Sequence, residues 1–426
     1  MSSFQEQLEQ HYQGLSDDNA LKVIRQKAWD QFQTVGLPQK NQEVWRSIKL
    51  RKLYEKPIAP ALSVSFSREE VEPLIIPGFE QRCLVFTNGR LDLELSSIEE
   101  LDDRLVVSHL DKATRSYGGF LNHSWTKALK EESDPFALLN SALGIDGAFL
   151  YLPPKAVIEK PVQILSVYRT ETPAISQPRL QLFAGKHSQL TLVSTPCFLN
   201  GGSVCNASFD ISLDENAQVS LYQLNHQMPE HHWQLESVRA TLKRDSRFSA
   251  VNLTNGSETV RSDYKAVLTG ENGEVNLSGL WMLQDASEAH TNILIDHQAP
   301  HCRSNQLFKG VLDDVSRSSF EGKIYVRQAA QKTDAFQLNN NLLLSERANA
   351  FSKPNLEIFA DDVKASHGAT VGQLDKEQMF YLNSRGYSKE MAQKMMIRGY
   401  ILEIIDLLDD PSVREWAFAK LTKGWA

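Results

Sequence analysis

Cysteine is scarce, basic charge is not in excess and long apolar runs are missing, and each shortage removes a class of function. The four cysteines, Cys83, Cys197, Cys205 and Cys302, form no CxxC pair and fall at none of the short spacings of zinc or ferredoxin-type cluster sites. No self-contained metal site is visible. A net charge of -8 argues against nucleic acid as the main partner, because phosphate binding needs clustered Lys and Arg. Short basic runs such as Arg46 to Lys56 read as a solvated helix face. No stretch of about 18 uncharged apolar residues exists, which removes a membrane-spanning helix. The N-terminal MSSFQEQLEQ lacks a basic segment followed by an apolar core. A soluble, cytoplasmic protein with reduced thiols is expected. The chain also lacks the Gly-x-x-x-x-Gly-Lys-Ser/Thr loop that cradles nucleotide phosphates.

What is present is enough to fold. At 426 residues the chain exceeds what one core usually holds, and 41% hydrophobic residues against 23% charged is ordinary for globular proteins, so two or three units are expected. Near the start, Leu21, Ile24, Ala28, Phe32 and Val35 recur at helical spacing, with Ser16 and Asp17 as caps and Gly36 and Pro38 as stops. NQEVWRSIKLRKL is a second helix candidate; beyond Pro57 and Pro60, alternating segments such as CLVFTNGRLDLEL take over. DPFALLNSALG offers an Asp134 cap, Pro135 at the first helical position and Gly144 at the stop. The division expected is a mostly helical but mixed region over 1–145, a β core over 146–372 and a helical domain over 373–426.

The β core repeats. GKHSQLTLVS from Gly185, DENAQVSLYQ from Asp214, KRDSRFSAVN from Lys243 and GENGEVNLSG from Gly270 align at offsets of 29 (214-185), 29 (243-214) and 27 (270-243). A polar turn residue (His187, Asn216, Asp245, Asn272) precedes a small one (Ser188, Ala217, Ser246, Gly273). An apolar residue follows two places on (Leu190, Val219, Phe248, Val275), and alternation continues with Leu192, Leu221, Ala250 and Leu277. Repeats of this length made of strands and tight turns suit a right-handed parallel β-helix, whereas propeller blades need about 40 residues or more. The pattern recurs at Ser316 and Ala348 at irregular spacing. Asn339, Asn340 and Asn341 read as coil corners or as ordinary turn residues.

After Gly372 the helical period returns. Asp375 with Gln378 forms a capping-box arrangement, a second helix begins at Ser388, and Asp410 with Pro411 starts a third. Ile397, Tyr400, Ile401, Ile404, Ile405 and Leu408 make one apolar stripe. The stripe reads as packing of these helices on each other; Met391, Met395 and Met396, partly outside it, could instead meet another protein.

Three segments carry a family resemblance: FEGKIYVRQAAQKTDAFQLNNNLLLS, KPNLEIFADDVKASHGATVG and MFYLNSRGYSKEMAQKMMIRGYILEII. The chain resembles the SufB/SufD family, scaffold subunits of the SUF iron-sulfur cluster assembly machinery, with weaker likeness through EVWRSIKLRKL and DPFALLNSALGIDGAFLYLP. SufB-like chains carry cysteines in the core; LLLSERANAFSKPNLEIFADD offers only Ser345 and Ser352, which favours the SufD-like branch. The resemblance implies a non-catalytic scaffold that pairs with a SufB-like chain through the β-helices and holds a SufC-like ATPase on its C-terminal helices. The implied ATPase-binding residues are Met391, Met395, Met396, Arg398, Tyr400, Ile401, Ile404 and Ile405. A homodimer in isolation is also open. No cofactor is expected on the chain alone, only transient iron or a cluster in the complex.

The resemblance further implies that His367 faces a partner cysteine and helps ligate the nascent cluster or its iron; such a ligand needs its other ring nitrogen fixed by an acceptor such as a carboxylate, for which Asp361 and Asp362 are the nearby candidates. On residues alone His367 reads as a turn residue in KASHGATVG. SufD-like chains often have cysteine two residues earlier; here Ala365 excludes a ligand at that position. His297 and His301 are not expected to converge, and His226, His231 and His232 read as a solvated cluster in a loop anchored by Trp233. The rival classes are a secreted-type carbohydrate-active β-helix enzyme, using Asp313 with Asp314 or Asp361 with Asp362, and a purely structural SufD-like subunit.

Overall fold

The four aligned turn residues His187, Asn216, Asp245 and Asn272 all adopt the left-handed backbone conformation, with φ of 59°, 56°, 58° and 57°. Asn and Asp tolerate this region best among residues with a side chain, so the polar column of the repeat is a ladder of coil corners. The computed structural model describes residues 3–15, 21–144, 146–201 and 204–425. Ser16 and Asp17 lie outside these. In them the chain forms a mainly β solenoid with helical regions at its N- and C-terminal ends.

Each coil gives one strand to an 11-stranded sheet and one to a 10-stranded sheet, and within the stack neighbouring strands run parallel. The apolar columns are stacked columns: Val219 pairs with Leu190 and Phe248, and Phe248 with Val275. The corner ladder does not stop at Asn272. It continues through His301 (φ 60°) and Lys332 (φ 58°), while Asp285 and Asp314 form the opposite corner. Ser316 therefore belongs to the opposite ladder, which is why its spacing looked irregular. Asn339, Asn340 and Asn341 are not corner residues but lie inside the strand Thr333–Leu343.

The two ends of the stack differ. At the first coils the antiparallel hairpin Cys83–Thr87 and Arg90–Ser97, turning at Asn88 and Gly89, closes one sheet, and Val106–His109 runs antiparallel against Ala148–Leu152 in the other. The helices Phe4–Gln13, Lys22–Val35, Leu110–Lys130 and Pro135–Leu143 build a second core there. Lys22–Val35 ends at Gly36, whose φ of 74° suits glycine. Asp134 caps Pro135–Leu143 and also meets Arg261, a buried guanidinium 2.8 Å away that lies 3.8 Å from the Trp45 ring centroid. The basic run is not a solvated face: Lys49 pairs with buried Glu288, and Lys52 and Lys56 pair with Glu258 at 3.4 and 2.7 Å. It straps the N-terminal region onto the solenoid by charge.

Of the histidine loop His231 is exposed, but its other two histidines are not solvated. His226 packs edge-on against Trp416 and His232 against Phe198, both buried. Trp233 is buried and donates its indole N–H to Glu258. His297 lies inside the coil, bonded to Ser304, while His301 sits at a corner.

Burial pushes the imidazoles of His11, His226, His232 and His297 down to about 4. Each is therefore neutral in the fold and titrates near 6.5 when unfolded, so its contribution is complete above about pH 6.5 and is lost as pH falls toward 4. The expected loss is on the order of 1–3 kcal/mol per group. Urea midpoints should fall between pH 7 and 4.5, and a His232→Gln/His297→Gln double variant should flatten that slope; an equal slope in both would contradict the assignment.

Candidate functional site

The column that begins Leu192, Leu221, Ala250, Leu277 continues in register through Gln306, Gln337 and His367. Its last three positions are polar where the others are apolar. Register partners in a parallel sheet share a face, so these side chains follow one another along the inside of the coil. The neighbouring Gly368 would place a Cβ 3.0 Å from Leu338, an outward residue, which sets His367 on the inner side. His367 is exposed because its strand, Val363–Gly372, is the last of its sheet; it is not a turn residue.

Around it the interior of the final coils is polar. The Gln337 amide donates to Gln306 Oε1 at 2.9 Å, Asn341 donates to Asn339 Oδ1 at 2.8 Å, and Asn339 donates to the Phe308 carbonyl at 3.2 Å. Ala365 stacks on Ala335 beside the apolar group Ile324, Val326 and Leu356. Asp361 and Asp362 sit at the preceding corner, where the Asp362 N–H donates to Gln331 and its carbonyl accepts from Lys332. Five residues of strand, about 16 Å, separate Asp362 from His367. Neither carboxylate is placed to hold the ring.

The other sheet ends in Asn349–Ile358. Among the described residues no strand pairs beyond either terminal strand, so two rows of backbone N–H and C=O groups face outward. The rim beside them is apolar: Phe336, Leu338, Phe351, Ile358, Phe359 and Val371 are all exposed, Phe359 by 56%.

A second uncovered surface lies on the C-terminal helices. Lys376–Ser384, Lys389–Ile405 and Pro411–Leu421 are capped by Asp375, Ser388 and Asp410 respectively. The helix Lys389–Ile405 has two halves. Ile397, Ile401, Ile404 and Ile405 are buried against Leu224, Leu253, Leu280 and Val311 on the outer face of a solenoid sheet. The stripe thus packs on the solenoid as well as on the neighbouring helix. Tyr400 donates to the Asn340 carbonyl at 2.7 Å, and Arg398 lies 5.2 Å from the Phe418 ring centroid with its residue exposed. The other half leaves Met391 49% and Met395 41% exposed and Met396 half-buried, next to a helix that bares Phe380 by 75% and Tyr381 by 57%.

The carboxylate pair Asp313 and Asp314 is occupied in a corner: Asp314 accepts from the Asp285 N–H at 3.0 Å and Asp313 from the Asp314 N–H at 2.8 Å. Among the described residues, no three of His, Cys, Asp and Glu come together so as to hold a metal ion. Nor is any helix long and apolar enough to cross a membrane.

The chain matches the family described as "SufBD protein N-terminal region" over residues 2–164, and "SUF system FeS cluster assembly, SufBD core domain" over residues 167–400. It is similar to an iron-sulfur cluster assembly SufBD family protein of Synechocystis sp., 30% identical over 409 residues that span 92% of this chain and 88% of the relative. The iron-sulfur cluster assembly protein SufD of Escherichia coli is 27% identical over 412 residues, spanning 93% and 91% of the two chains. The SufD protein of Bacillus subtilis is 26% identical over 405 residues, spanning 93% and 92%.

No cysteine lies on either terminal strand, Asn349–Ile358 or Val363–Gly372. All four cysteines are free; burial pushes Cys83, Cys197 and Cys205 up to about 12 and Cys302 to about 11. Thiolate is the reactive form, so all four are inert near neutral pH. A disulfide reagent at pH 7 should leave the native chain essentially unmodified and titrate four thiols in urea; rapid reaction of any thiol in the native chain would contradict this.

Proposed function

We propose a scaffold role from one premise: the chain belongs to the SufBD family of the SUF system for iron-sulfur cluster assembly. Its lack of cysteine beyond Cys302 and its full-length likeness to proteins named SufD favour the SufD type. On this reading it works in the cytoplasm and is not itself an enzyme. The observation that carries the proposal is the open end of the solenoid, where a polar column ends in His367 on one of the two unpaired terminal strands.

A SufB-like chain covers that end. Unpaired edges and an apolar rim fit a partner built from the same stacked strands. The nascent cluster is the cargo. Iron-sulfur clusters take about four protein ligands, so one imidazole from this chain must be joined by thiolates from the partner. The inert thiols described above support that division.

A SufC-like ATPase docks on the exposed half of the C-terminal helices, at Met391, Met395, Met396 and Arg398. Ile401, Ile404 and Ile405 hold the same helix to the solenoid instead, so a pull on the docked half is passed inward. The path is short: Tyr400 bonds the Asn340 carbonyl, and the Thr370 hydroxyl donates to Asn340 Oδ1 at 2.7 Å, three residues along the strand from His367.

His367→Ala should leave the complex assembled on size exclusion and lower de novo cluster formation about tenfold, the scale on which loss of a metal-site group acts. Unchanged yield would leave a purely structural subunit. Met391→Asp/Met395→Asp should abolish co-elution of the ATPase without lowering the melting temperature, since both side chains are exposed; retained co-elution would move the docking surface elsewhere.

A further inference from the structure

Gln337 is an unusual residue to find between a glutamine and a histidine in the middle of a packed coil. It is 2% exposed, and its amide is anchored by donating to Gln306 Oε1 at 2.9 Å. The opposite wall makes room for it: a Cβ on Gly322 would come within 1.7 Å of Gln337 Nε2 and 3.0 Å of Gln306 Oε1. A side chain at position 322 would push the Gln337 amide out of this position. The other arm of the amide, Gln337 Oε1, is buried with no hydrogen-bond partner. Such an orphaned acceptor is rare in a native interior and costly to maintain. The residue stacked one strand above it is His367, whose ring carries the N–H that would satisfy it.

We propose that Gln337 is the positioning residue for His367: its carboxamide oxygen accepts the imidazole N–H, fixes one tautomer and turns the unprotonated nitrogen toward the uncovered end. This rests on the reading of His367 as a ligand for the nascent cluster. Ligating histidines nearly always give their second nitrogen's proton to a fixed acceptor. The carboxylates nearest in sequence, Asp361 and Asp362, are held at the corner. An amide acceptor does the same task without placing an unpaired charge inside the coil.

The test is the tautomer of His367. The full chain is labelled with nitrogen-15 histidine, bound to its cysteine-bearing partner, and the His367 signals are assigned with His367→Gln. The wild type should show one protonated and one unprotonated ring nitrogen. Gln337→Met, which keeps volume but removes the acceptor, should mix the two tautomers and move the two signals toward each other. Gln337→Glu, which keeps an acceptor, should retain the separation. An already mixed wild type, or an unchanged pattern in Gln337→Met, would overturn the proposal. Should the methionine variant not fold, Gln337→Asn withdraws the amide by one methylene and is read the same way. Cluster yield is read separately. If His367→Ala leaves yield intact while Gln337→Met mixes the tautomers, the ligand reading falls and the contact stands; loss of yield with an unmoved tautomer does the reverse.

Discussion

Strict register between successive coils is the constraint on which the rest of this structure depends. A one-residue slip in a parallel stack would turn each inward side chain outward, so every coil must reach the same corner with the same backbone conformation. The left-handed residues from His187 through Lys332 impose that repeat. Register then converts short alternating segments into continuous columns, and makes the two ends the places where a column can change character. One end is closed by antiparallel strands and a helical core. At the other the column Leu192 to Leu277 turns into Gln306, Gln337 and His367 and stops in the open.

Polar residues inside a solenoid are tolerated in two different ways here. Deeper in the stack, Glu236 accepts from Gln223, Asn225 and Asn252 at 2.9, 3.0 and 3.1 Å, and burial still raises its pKa. That carboxyl is enclosed by donors. At the open end the polar atoms Gln306 Nε2, Gln337 Oε1 and Ser352 Oγ are buried without partners, as are Asn206 Oδ1, Asn225 Oδ1 and Trp281 Nε1 deeper in the stack. Unpaired buried groups carry a free-energy cost, and a site completed by another molecule is one setting in which it is offset. The C-terminal helix ties this end to a second surface through Tyr400 and Asn340.

The repeat was legible in sequence wherever corner chemistry stayed Asn, Asp or His. It became illegible after Asn272, because His301, though a residue type already used at a corner, is masked by the preceding Pro300, and the next corner is Lys332, a residue with no turn preference. Losing register there hid the alignment of Gln306 and Gln337 with His367. Stepping on from Leu277 by coils of 29 to 31 residues would have found both glutamines (306-277, 337-306) and the histidine (367-337). Caps at Asp134, Ser388 and Asp410 were legible because they act locally. The pairing of Lys49, Lys52 and Lys56 with Glu288 and Glu258 was not, since residues 202 to 239 apart (258-56, 288-49) meet only through the fold. The long helix Leu110–Lys130 was obscured for a local reason: it kinks at Tyr117, and Gly118 and Gly119 follow, residues that read as a break.

The central claim is that the uncovered strands Asn349–Ile358 and Val363–Gly372 are completed by a cysteine-bearing paralogue. Amide hydrogen exchange over these two strands, in the chain alone and mixed with that paralogue, tests it most directly. The account predicts strong protection of both strands on mixing, spreading to Thr333–Leu343 beneath them. Exchange unchanged in both strands, with the two chains shown to be bound, would contradict it.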